Sequence, residues 1–143
     1  MIRPIVEDDW GDWKALWEGY LHFYRRELSE ATSRSTFARL CRKADGMFGF
    51  VATSDTSLTG FSHALLHPST WSTEGYCYLE DLFVAPAARG AGVGQALIEA
   101  VVGEGRRRHA SRIYWHTQEF NGPARSLYDQ LAHRTSFIVY QCP

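Results

Sequence analysis

The spacing of apolar residues changes period several times along the chain, and each change marks an element. Trp10, Trp13, Leu16, Trp17, Tyr20, Leu21 and Tyr24 recur three and four residues apart, which predicts an amphipathic helix capped by Asp8 or Asp9. Phe37 and Leu40 predict a second helix from about Ser33 to Arg42, ending before Asp45-Gly46. Strand-like runs follow. Phe48, Phe50 and Val51 make one strand and Phe61 to His67 the next, joined by the polar turn from Ser54 to Gly60 into an antiparallel hairpin. Tyr76 to Val84, aromatic and branched, predicts a third, mostly buried strand that Pro86 closes. Helical spacing returns at Val93, Leu97, Ile98, Val101 and Val102. A strand is predicted from Arg112 to Thr117. Next comes a helix with Pro123 in its first turn and Ala124, Leu127, Tyr128 and Leu131 on one face. Phe137 to Tyr140 predicts a closing strand, and Met1 to Val6 a first one, with Pro4 near an edge or the strand start.

A strand, helix, strand passage requires parallel pairing of the Tyr76 and Arg112 strands, whereas the hairpin strands run antiparallel. The expected fold is therefore one α/β (α+β) domain over residues 1–143, a mixed, mostly antiparallel twisted sheet with helices on both faces. A chain of this length buries roughly two-thirds of the surface its unfolded form exposes. The formal net charge of −1 argues against a nucleic-acid partner. The local cluster Arg106, Arg107, Arg108, His109 and Arg112 reads as cations complementing a helix C-terminus. Cys41, Cys77 and Cys142 are odd in number and lack Cys-x-x-Cys spacing, as reduced thiols of a cytoplasmic protein would. No apolar run approaches a membrane span and no signal-peptide core opens the chain. His63 and His67 share a strand face, but no third ligand stands at a recognisable spacing, so no metal is expected.

Chemistry enters where the Tyr76 strand meets the following helix. Gly90, Gly92 and Gly94 bare the backbone just where helical spacing starts, and a helix start with unpaired N–H groups takes an anion, most often a phosphate. Gly94-Gln95-Ala96 lacks the Lys-Ser/Thr of a nucleoside-triphosphate loop. The Gly-x-Gly-x-Gly spacing late in the chain also departs from a dinucleotide fingerprint. Within the preceding strand stand two carboxylates, Glu80 and Asp81. If the strand is regular, Glu80 faces the side of Tyr78, Leu82 and Val84, and Asp81 faces the opposite side. Glu80 is either a partly buried base with a raised pKa or the partner of a neighbouring arginine. Asp81 either contacts a cationic substrate around a bulge or holds a loop. Tyr20 and Tyr24 either pack in the core or line a substrate mouth.

Arg89-x-x-Gly92-x-Gly94 resembles the pyrophosphate-binding loop of the GNAT N-acetyltransferase superfamily, and Asn121-x-x-Ala124-x-x-x-Tyr128 resembles a later segment of its acetyl-CoA half. Together they cover roughly the second half of the chain. Tyr78 to Val84 is similar to a strand of the spermidine/spermine and the histone-and-polyamine acetyltransferases. The run Tyr114 to Asn121, followed by Leu127-Tyr128-Asp129, resembles the latter subgroup. Ser136-Phe137 replaces the usual Gly-Phe after the last helix. The resemblance implies acetyl-CoA as cosubstrate. Its pantetheine arm would pair with the backbone of Phe83 and Val84 between parallel strands that splay beyond Val84, and Asn121 would steady it. Amides of Arg89, Gly90, Ala91, Gly92, Val93, Gly94 and Gln95 would hold the pyrophosphate, with the Arg89 guanidinium beside it. It further implies Glu80 as base, through a water, and Tyr128 as the acid that protonates the leaving sulfur. Read as residues alone, Tyr128 is equally a core tyrosine. Tyr20, Tyr24 and Asp81 are the candidate acceptor contacts. The expected activity is acetyl transfer by direct attack of a primary amine, whether polyamine, small amino compound or protein lysine, in a homodimer. The alternative is a non-catalytic acyl-CoA sensor, which needs the glycine loop but neither Glu80 nor Tyr128.

Overall fold

A computed structural model describes the whole chain, Met1–Pro143. Its strands are β1 (Ile2–Pro4), β2 (Met47–Ser54), β3 (Ser57–Ser69), β4 (Ser72–Val84) and β5 (Arg112–Trp115). Its helices are α1 (Trp10–Phe23), α2 (Glu30–Arg42), α3 (Val93–Arg107) and α4 (Gly122–Leu131). The five strands lie in chain order in one sheet; β1 to β4 pair antiparallel, and β5 joins β4 in parallel after the α3 crossover. This is the mixed sheet the element order predicts.

The two faces of the sheet bury different chemistry. Trp13, Trp17, Phe37 and Leu40 of α1 and α2 pack with Val51 and Phe61 on one face. On the other, Leu97 and neighbours of α3 lie over the sheet, and Ile98 and Val101 close on Phe48, Ala64, Cys77 and Leu79. Helix α2 starts three residues earlier than its apolar spacing alone indicates, because the Ser29 hydroxyl caps it by accepting the Thr32 N–H. Asp9 does not cap α1: its carboxylate accepts the Val6 N–H at 2.9 Å and a bidentate pair from Arg3 at 2.8 Å, tying β1 to the helix entry.

Strand β4 is not regular. His63 of β3 stands opposite Asp81, but the next residue, Ala64, stands opposite Leu79, so Glu80 is the extra residue of a β-bulge. The bulge overturns the alternation expected of Glu80 and Asp81. Cys77 and Leu79 pack under α3, and so does Leu82, while Phe83 joins the α1–α2 face. Asp81 is turned to the α1 face with Phe83. The parallel β4–β5 ladder also ends at the bulge, at Leu79 opposite Trp115, so the strands part well before Val84 rather than beyond it.

The predicted closing strand is absent. Phe137, Ile138, Val139 and Tyr140 adopt no strand and are 72, 72, 71 and 88% exposed, although β5 presents a free outer edge. Without a ladder partner, β-propensity does not make a strand.

Candidate active site

The end of β4, the start of α3 and the face of α4 converge at Gly94, whose ideal Cβ would lie 3.8 Å from both a Val84 methyl and a Leu127 methyl. Between β4 and α3 the chain turns through Gly90 at φ 87° and Gly92 at φ 81°, the latter serving as N-cap of α3. Nothing lies within 4 Å of a Cβ built on either glycine, so the requirement there is the left-handed backbone and not close packing. From Gly90 to Gln95 no backbone N–H is donated to a protein acceptor outside the helix, and the first turn of α3 has no carbonyl within it to receive them, whereas the Arg89 N–H expected among them is taken by the Pro86 carbonyl at 3.4 Å. That run of open amides, reinforced by the positive end of the helix dipole, suits a diphosphate.

Arg89, expected beside the anion, is anchored to the end of β4. Its Nε donates to the Val84 carbonyl at 2.9 Å and its guanidinium lies 5.7 Å from the Phe83 ring centre, folding the side chain back on the strand end. That contact uses only Nε, so the N–H groups of both terminal nitrogens remain available to an anion. The backbone of Phe83 and Val84 pairs with Phe61 and Gly60 along its inner edge, while its outer edge lies past the last β5 partner. Asn121, expected on the opposite wall, is the N-cap of α4, and its side chain caps nothing.

The second half of the site is a cleft on which five of the predicted residues converge: Tyr20 from α1 and Tyr24 just past its end, Glu80 and Asp81 from β4, and Tyr128 from α4. Trp115 and His116 also line it, and no lysine or arginine does. Asp81 accepts the Tyr20 hydroxyl at 2.7 Å on one oxygen and meets His63 Nδ1 at 2.9 Å on the other. The Tyr20 phenol is pushed far above its ordinary value by burial and by Asp81, so it remains a donor. Glu80 forms neither a hydrogen bond nor an ion pair, so the arginine partner that would have made it structural is not there. Part of its side chain stays open to solvent, yet burial first, and the adjacent Asp81 second, push its carboxyl above the usual glutamate value. The Tyr128 ring lies edge-on to Trp115 at 5.5 Å, and burial raises its phenol. Such a group is fully protonated at neutral pH and can give a proton away.

His63 and Trp13 escaped the sequence reading, the first weighed only as a metal ligand and the second only as core. Trp115 and His116 were not assigned to the cleft either. The one signal in the sequence was the pair of adjacent carboxylates in an otherwise apolar strand, a pattern that a bulge accommodates and a regular strand does not.

Known proteins share this architecture. The model of the Acetyltransferase (GNAT) family matches residues 8–132. A D-amino-acid N-acetyltransferase of Saccharomyces cerevisiae is 31% identical over 143 residues, spanning 99% of this chain and 89% of its own. An uncharacterised N-acetyltransferase of Bacillus subtilis is 28% identical over 97% of this chain and 94% of its own. Among solved structures, a probable acetyltransferase superposes with a TM-score of 0.87 at 24% identity over 100% of this chain and 97% of that one, a likeness of fold.

Proposed function

The chain belongs to the GNAT acetyltransferase family, and on that premise we propose that it moves the acetyl group of acetyl-CoA directly onto a primary amine, with Glu80 as base and Tyr128 as acid. The observation that carries this reading is an unpaired Glu80 in a cleft shared with Tyr128, at the mouth of a parallel strand pair that opens next to a run of free amides. The amides from Gly90 to Gln95 bind and orient the diphosphate, Phe83 and Val84 offer their outer edge to the pantetheine arm, and Asn121 supports it from α4. Bound acetyl-CoA supplies an activated thioester.

An alkylammonium of pKa near 10.4 costs roughly 4 to 5 kcal/mol to deprotonate at pH 7, so a positioned base lowers the barrier before attack begins. Glu80, with a raised pKa, takes that proton directly or through one water. The amine lone pair then forms the C–N bond as the C–S bond breaks, and Tyr128 gives its phenolic proton to the departing sulfur. A backbone N–H near Val84 polarises the carbonyl. The acylated nitrogen gives up its second N–H proton, which through solvent restores the Tyr128 phenol and leaves a neutral amide, and Glu80 releases the first proton to solvent.

The acceptor class is open to a direct assay: release of the CoA thiol from acetyl-CoA against a polyamine, a D-amino acid such as the yeast relative's name suggests, and a lysine peptide. One class should exceed the others by at least about tenfold, as a specific cleft requires. Equal, near-background rates would sink the enzyme reading in favour of an acyl-CoA sensor. A sensor would keep all its activity in an E80Q/Y128F double variant, whereas the enzyme keeps CoA binding and loses turnover. The exposed Phe137–Tyr140 run beside the free edge of β5 supports a homodimer. Sedimentation of the chain cut after Thr135 should give a monomer where the full chain gives a dimer.

A further inference from the structure

We propose that Trp13 and His63, buried beneath the cleft, are positioning residues for the amine acceptor: they fix the Asp81 carboxylate so that it receives the acceptor's ammonium group beside Glu80. This rests on the acetyltransferase reading for its chemistry. Its geometry stands alone. Trp13 and His63 are 0% and 3% exposed, so neither touches a substrate. The Trp13 Nε1–H donates to His63 Nε2 at 3.0 Å. An indole nitrogen can only donate, so His63 Nε2 must be bare and the ring proton sits on Nδ1. Nδ1–H therefore donates to Asp81 at 2.9 Å. A doubly protonated ring would set two N–H groups against each other. Trp13 is itself held by ring contacts with Trp17 at 5.3 Å and Phe37 at 5.0 Å. Two turns further along the same face of α1, Tyr20 grips the other Asp81 oxygen. One helix thus fixes both ends of one carboxylate, once directly and once through the imidazole.

The donors are neutral, and that decides the role. Asp9 is also doubly held, but by the Arg3 guanidinium, which cancels its charge and makes the pair a structural tie. Asp81 receives a phenol and a neutral imidazole, which orient it and leave its negative charge intact. Each oxygen keeps a lone pair for a further donor. A fixed, uncancelled carboxylate in a cleft without lysine or arginine selects an ammonium.

The test compares His63→Leu with His63→Asn. Both remove the acceptor from Trp13 and share that folding cost, but the asparagine amide retains a donor near the Nδ1 position. Two readouts are taken: KM for the preferred amine against KM for acetyl-CoA, and, without acetyl-CoA, the Kd of n-butylammonium by NMR titration. H63L should raise the amine KM and the butylammonium Kd about tenfold or more, the loss expected for one hydrogen bond to a charged group, with the acetyl-CoA KM unmoved. H63N should recover most of that loss. Ring nitrogen shifts of His63 in the wild-type protein should report the Nδ1–H tautomer. Equal behaviour of the two variants in both readouts, or an Nε2–H tautomer, overturns the proposal. If no amine is acetylated by the wild-type protein, the acetyltransferase reading fails, while the butylammonium comparison and the tautomer still decide the positioning role.

Discussion

The two faces of the sheet solve binding by opposite means. On the α3 face the helix brings aliphatic side chains, Leu97, Ile98 and Val101, onto Phe48, Ala64, Cys77 and Leu79, and the candidate binding surface is backbone: open amides after two left-handed glycines. On the α1 face the core is aromatic and hydrogen-bonded from within, and the candidate binding surface is side chain: Tyr20, Asp81 and Glu80. Backbone amides recognise what every diphosphate shares, so that half is generic. Side chains aimed through a relay discriminate, so on the proposed function acceptor specificity would reside in the α1 half. The β4 bulge at Glu80 joins the two, because the same extra residue that turns the carboxylates into the cleft also ends the β5 ladder.

If that division is right, each half can be damaged alone. The largest effect should come from Glu80→Gln, which keeps size and polarity but removes the base: kcat/KM for the amine should fall about 100- to 1,000-fold in steady-state assays, with acetyl-CoA affinity unchanged by calorimetry. A fall of less than about threefold would move the base elsewhere. Tyr128→Phe comes next. A thiolate is a tolerable leaving group without help, so the loss in kcat should be nearer tenfold than a thousandfold, without a change in amine KM. On the generic half, Gly92→Val forces a branched residue into φ 81° with nothing nearby to clash. The cost is conformational, about 1–2 kcal/mol, and should appear as a roughly tenfold rise in acetyl-CoA KM with the amine KM intact. A matching rise in both would break the comparison, because it would mean the loop and the cleft are one coupled unit.

The same division explains what could be read from the chain and what could not. The glycine turn is local: its conformation, its helix start and its open amides lie within a few consecutive residues from Gly90 to Gln95, and glycine spacing announces them. The element order and the mixed sheet follow from period changes in the same way. The relay is built across long separations, Trp13 to His63 and Tyr20 to Asp81, and no spacing rule links such pairs. Alternation then failed across the bulge, which changes the parity of every residue after it: Cys77 and Leu79 before it and Leu82 after it lie on one face, while Asp81 still faces away from Leu82. The closing strand failed for a related reason: Phe137 to Tyr140 has the composition of a strand, but a strand exists only through a partner, and β5 does not pair with it within this chain.

The smallest effect is the sharpest test of whether Glu80 bears the electrostatic load assigned to it. Its folded-state pKa lies above the ordinary 4.5, so the fold favours the protonated carboxyl. Wild-type stability is therefore fully retained below the unfolded value and declines as pH rises through the folded one. Glutamine never ionises and escapes that decline. Asp9 and Glu104 work in the opposite sense, held low by hydrogen bonds from Arg3 and from Arg107, and lose their stabilisation as pH falls. They do so in both proteins, so the difference between E80Q and wild type isolates residue 80. By differential scanning calorimetry the two should melt together near pH 4, with E80Q about 1–2 °C higher near pH 8, a small gain because solvent still reaches the side chain. A variant that melts lower than wild type at pH 8 would mean that the ionised carboxylate is stabilised in the fold, and an anion so stabilised would be a poor base for an ammonium.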